Sequence, residues 1–143
     1  MKNKDIVVRT ETRIRFNEVD SMGIVWHGHY IKLFEDGREA FGEKHGLGYY
    51  DFYNQGIYTP LVKISCDYKL PLAYGDSAII ETKYVDSEAA KLIYEYTVYK
   101  RSTNEIVATG KSMQVFLNKQ RDLILTIPAF FYEWKMKMGL IKE

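Results

Sequence analysis

Between residues 30 and 44 the apolar or small positions Tyr30, Leu33, Phe34, Gly37, Ala40 and Phe41 recur at helical spacing, and Lys32, Glu35, Asp36, Arg38, Glu39 and Glu43 fall mostly elsewhere. The pattern predicts one long amphipathic helix. It should stop near His45-Gly46, because glycine readily takes the left-handed conformation at a helix end and Lys44 suits the negative end of the dipole. Two internal glycines, Gly37 and Gly42, each cost a helix about 1 kcal/mol relative to alanine. Close packing on a sheet would offset that; for Gly42 simple tolerance is an equally open reading.

Elsewhere the period is two. Residues 7–16 alternate loosely (Val8, Ile14 and Phe16 against Arg9, Glu11, Arg13 and Arg15) and predict a first strand. Val62, Ile64, Cys66, Tyr68 and Leu70 alternate with Lys63, Ser65, Asp67 and Lys69, the clearest strand in the chain. Pro71 ends it and Ala73-Tyr74-Gly75-Asp76 turns the chain. Residues 78–85, 91–101 and 106–117, rich in Ile, Val, Thr, Tyr and Phe, predict an antiparallel meander. Residues 47–58 read as a loop, 123–126 as a little extra strand, and Pro128 as the start of a short helix through Trp134 to Met138. No internal repeat is present. The plan is α+β: about five strands around one long helix, in a single domain over residues 1–143.

Composition narrows the partners. The 20 Lys and Arg nearly balance 19 Asp and Glu, so the large positive charge that advertises nucleic-acid binding is absent. No apolar run reaches the roughly 18 residues needed to cross a bilayer, so no membrane insertion is expected. One cysteine can form neither an internal disulfide nor a paired-thiol metal site, which fits a reducing cytoplasm. Cys66 sits on the apolar face of its strand and is expected to be buried and inert. Twelve Tyr and seven Phe favour strands and the cores they build.

No Gly-rich phosphate loop, paired-cysteine spacing or Gly-x-Ser-x-Gly elbow occurs, which leaves the polar cluster from Asp20 to Tyr30 as the candidate site. It sets an acid, a turn glycine and two histidines just before a helix N-terminus, whose free backbone N–H groups suit a developing negative charge. Asp20 reads equally as a turn aspartate bonding its own backbone. His27 and His29, with no third ligand apparent, read better as residues of the helix start than as a metal pair, and no metal or other cofactor is expected. Glu35 and Arg38 read as a solvated ion pair.

The run Asp20-Ser21-Met22-Gly23-Ile24-Val25-Trp26-His27-Gly28-His29-Tyr30, followed by Phe34-Glu35-Asp36-Gly37-Arg38, resembles the signature of the 4-hydroxybenzoyl-coenzyme A thioesterase family. Gly56, Pro60-Leu61-Val62 and the run from Tyr68 to Asp76 resemble its later landmarks, so the likeness covers nearly the whole chain. It implies a hotdog fold, a curved antiparallel sheet wrapped around the long helix, in subunits that form a homodimer or homotetramer. It also implies an acyl-CoA thioesterase acting without cofactor, with Asp20 attacking the thioester carbonyl or activating water. By the same likeness the His27 N–H polarises the carbonyl, its imidazole orients Asp20 or water, and Gly23, Gly28 and Tyr30 contact substrate. A thiol of pKa about 8.5 leaves readily as thiolate, so strong general-acid catalysis is unnecessary. The competing readings are an acyl-carrier-protein thioesterase, a hotdog dehydratase or hydratase, and a non-catalytic acyl-thioester binding module.

Overall fold

The computed structural model describes residues 5–141; the ends of the expected 1–143 domain lie outside them. Five strands, β1 (Val7–Arg13), β2 (Leu61–Tyr68), β3 (Ser77–Val85), β4 (Lys91–Lys100) and β5 (Glu105–Val115), form one antiparallel sheet in the order β1-β3-β4-β5-β2. The meander supplies the centre, and β1 and β2 lie at the two edges. The long helix α1 (His29–His45) packs on one face, and the short helix α3 (Ala129–Lys137) docks Phe131 and Trp134 into the same core. This is the hotdog arrangement. No helix among the described residues is long and apolar enough to cross a membrane.

The helical stripe is buried as its spacing requires, at Tyr30, Leu33, Phe34, Gly37 and Phe41, and Gly42 is buried beside it. Phe34 stacks on Tyr96 with ring centroids 4.6 Å apart. Gly37 lies directly against Ile80 and Thr82, so a side chain there would displace the helix from the sheet. Gly42 is not merely tolerated either, since a Cβ there would come within 2.8 Å of the Gly48 Cα. The helix ends at Gly46, left-handed at φ 75°, whose N–H donates to the Gly42 carbonyl.

Four details depart from the sequence expectations. Strand β1 stops at Arg13, because Ile14 exchanges hydrogen bonds with Gly75 and Asp76 of a turn instead of the ladder, and the Arg15 N–H donates to the Glu18 carboxylate at 2.7 Å to open a single 3₁₀ turn, Phe16–Glu18. The expected loop 47–58 contains a helix, α2 (Tyr49–Tyr53), started by the Gly48 N–H donating to Asp51 Oδ2 at 2.7 Å and anchored by buried Phe52. Residues 123–126 contribute only one bridge, Leu123 to Leu117. Cys66 is half-buried rather than buried, and burial pushes its thiol pKa up.

Candidate active site at the mouth of helix α1

The chain reverses at Asp20-Ser21-Met22-Gly23 by a tight turn. The Gly23 N–H donates to the Asp20 carbonyl and the Asp20 N–H to the Ile24 carbonyl, both at 2.9 Å. Gly23 takes φ 78°, a conformation that an L side chain resists. Its carbonyl accepts the Tyr74 N–H, and Val25 donates to Leu72, so the turn is pinned to the segment that precedes β3. The Asp20 carboxylate is exposed. Its Oδ1 accepts the Met22 N–H at 2.8 Å, leaving Oδ2 without a partner among the described residues. Thus the turn-aspartate bond is present, and one oxygen is still available for chemistry.

Glu18 holds the other side of this turn and was not singled out by sequence. It is only 9% exposed: one carboxylate oxygen caps Arg15, the other lies 3.4 Å from Lys32 Nζ on α1, and its carbonyl takes the Trp26 N–H. A buried carboxylate between two segments fixes their relative position. A lone Glu in a charged sequence gives no sign of this.

Trp26 then lies against its neighbours, its ring centroid 4.8 Å from His27 and 5.7 Å from His29, and its indole covers the Cα of Gly28. Gly28 caps α1 with helical dihedrals. The His29 and Tyr30 N–H groups donate back to Trp26 and His27, whereas those of His27 and Gly28 have no acceptor among the described residues. These two free amides sit at the positive end of a 17-residue helix.

His27 and Tyr30 share a shallow hollow of about 280 Å³ with Ile24, Tyr68, Lys69 and Pro71. The Tyr68 hydroxyl donates to the His27 carbonyl at 2.9 Å, and its ring meets those of Tyr30 and His27 edge-on. Burial raises the Tyr30 phenol pKa. Asp20 does not line this hollow within one chain, although Gly23 and Ile24 tie its turn to the hollow's rim. His29 is half-buried in α1, and among the described residues no three His, Cys, Asp or Glu side chains converge as a metal site would need.

A larger cavity of about 490 Å³ opens farther along α1, between Asp36, Arg38, Leu47, Leu61, Leu92 and Gln114. Burial raises the Asp36 carboxyl pKa, against the pull of Lys32.

Residues 14–135 match the family model described as the thioesterase-like superfamily. YneP of Bacillus subtilis strain 168, provisionally called an acyl-CoA thioesterase, is 31% identical over 128 residues, 90% of this chain and 92% of that protein. The 1,4-dihydroxy-2-naphthoyl-CoA hydrolase of Nostoc punctiforme is 26% identical over 124 residues, covering 85% and 81% of the two chains. The crystal structure of a DHNA-CoA thioesterase from Staphylococcus aureus superposes with a TM-score of 0.82 at 25% identity, over 93% of this chain and 91% of the other. The matched residues 14–135 span the Asp20 turn, helix α1 and strands β2 to β5, and the chain belongs to the thioesterase-like superfamily as a hotdog-fold thioester hydrolase.

Proposed function

We propose that this protein hydrolyses acyl-coenzyme A thioesters to free acid and coenzyme A, with Asp20 as the reacting carboxylate. The observation that carries the reading is the pair of unengaged N–H groups, His27 and Gly28, at the mouth of α1 beside the pinned Asp20 turn. Donors fixed before the reaction stabilise an oxyanion without reorganising, and removing one such donor typically costs about 3–4 kcal/mol. As nucleophile, Asp20 Oδ2 would form an anhydride and release coenzyme A thiolate, and water would then cleave the anhydride. As general base it would take a proton from the attacking water. Gly23 shapes the turn, and Gly28 and Tyr30 line the approach, in keeping with the 4-hydroxybenzoyl-coenzyme A thioesterase signature.

We take the chain as one catalytic domain of a cytoplasmic homodimer or homotetramer. Strand β2 supports the assembly: among the described residues it pairs with β5 alone, and it leaves Leu61, Val62 and Tyr68 exposed along its edge. Antiparallel pairing of two β2 strands would place the Tyr68 end of one protomer beside the Leu61 end of the other. The Asp20 turn would then face the partner's 490 Å³ cavity, which suits an acyl group.

Thiol release from short, medium, long and aromatic acyl-CoA esters tests the reading. Native protein should release thiol, and Asp20→Asn, which keeps the shape and removes the basic oxygen, should lower turnover about a hundredfold to ten-thousandfold. Full activity in that variant would remove Asp20 from the chemistry. Release only from acyl-carrier-protein thioesters would reassign the substrate.

A further inference from the structure

The His27 carbonyl is a double acceptor, taking the Tyr30 N–H at 3.3 Å and the Tyr68 hydroxyl at 2.9 Å. That carbonyl and the Gly28 N–H belong to the same planar peptide, so what binds the oxygen also fixes the direction of the N–H. Hydrogen bonds accepted by an amide oxygen draw density from its nitrogen, which makes the N–H a stronger donor. The Gly28 N–H is free among the described residues and lies at the N-cap of α1, where it points out of the helix mouth.

We propose that Tyr68 is a positioning residue of the oxyanion site: its hydroxyl orients and polarises the 27–28 peptide, so that the Gly28 N–H acts as a second oxyanion donor beside that of His27. The inference rests on the hydrolase reading above. Tyr68 reaches across 41 residues of sequence, from the end of β2 to the start of α1, and its ring is steadied edge-on by Tyr30 at 5.1 Å and His27 at 6.3 Å. Burial and the neighbouring Cys66 raise its phenol pKa, so it remains a donor at neutral pH. Trp26 packs against Gly28 so closely that a Cβ there would overlap the indole. The peptide is thus held at its oxygen by Tyr68 and at the Gly28 Cα by Trp26, with its N–H unused among the described residues.

Tyr68→Phe removes the hydroxyl alone, from a half-exposed ring at a strand end. In ¹⁵N-labelled protein the Gly28 amide proton should move upfield, and kcat should fall about tenfold, the worth of one neutral hydrogen bond, with KM nearly unchanged. A KM rise at constant kcat, which would make Tyr68 a plain substrate contact, overturns the proposal; so does an unmoved Gly28 signal in an enzyme that still releases thiol. If native protein releases no thiol from any acyl thioester, the hydrolase reading falls and the oxyanion role with it, while a shifted Gly28 signal would still establish the peptide's polarisation by Tyr68.

Discussion

Single atoms decide several positions that composition leaves open. Gly110 in β5 lies beneath Phe34, and a Cβ there would meet the Phe34 ring and stand 2.7 Å from the Ser65 carbonyl, so neither the helix nor the neighbouring strand has room to give. Gly110→Ala should therefore cost about 1–3 kcal/mol of stability by urea denaturation. Loss of less than a few tenths would show that α1 can lift freely. Asp36 behaves oppositely: burial raises its carboxyl pKa above the unfolded value, so the folded state holds the proton more tightly. Stability is then favoured below the ordinary aspartate range and declines as pH rises through the folded pKa. Asp36→Asn should raise Tm at pH 7 and lose that advantage near pH 3, a dependence that thermal melts at both values would check. The roles of Asp20 and Gly23 in a turn were legible because turn chemistry is local. Glu18 and Tyr68 were not, because their partners lie 14 and 41 residues away and no periodicity records such a contact.

Elements were readable where a period ran for several turns or pleats. Helix α1 and the meander strands appeared close to their observed limits because one face of each is buried. Helix α2 escaped because five residues, three of them exposed tyrosines, give too short a stretch to show a period. Helix α3 was expected through its aromatic residues, but the pattern did not single out buried Lys135, which is 2% exposed. Its ammonium donates to the Ser87 carbonyl at 2.7 Å, lies 3.1 Å from Asp86 Oδ1 and sits over the Phe131 ring, tying α3 to the β3–β4 turn. Lys135→Met keeps the stem and leaves the Ser87 carbonyl unpartnered, so it should cost about 2 kcal/mol. Amide exchange should quicken through α3 and residues 86–90 while α1 stays protected; uniform quickening would mean that α3 does not open as a separate unit.

At the scale of the molecule, the two edges of the sheet are unequal. Strand β1 carries Arg9, Glu11 and Arg13 along its length, with Arg9 paired to Glu81 and Glu11 to Arg101, the charged dressing that discourages edge-to-edge association. Strand β2 instead exposes Leu61 at 40% and Val62 at 55%, beside a register shift between Leu61 and Lys63. An edge with apolar side chains and unused backbone groups favours pairing with an identical strand, and a two-fold axis makes that pairing antiparallel. If the Asp20 turn works against the partner's cavity, assembly and turnover must be lost together. The variant Val62→Lys places charge on this edge while leaving Asp20, His27, Tyr68 and the cavity-lining Leu61 intact. Native protein should sediment at no less than twice the chain mass, and the variant as a folded monomer with thioesterase activity reduced by about a hundredfold or more, the order expected when the acyl group is no longer positioned. A variant that still sediments with the native protein would put the seam elsewhere. A monomer that retains native turnover would show that each chain carries a complete site, and that the hollow at His27 and Tyr30 accepts the acyl group without a partner.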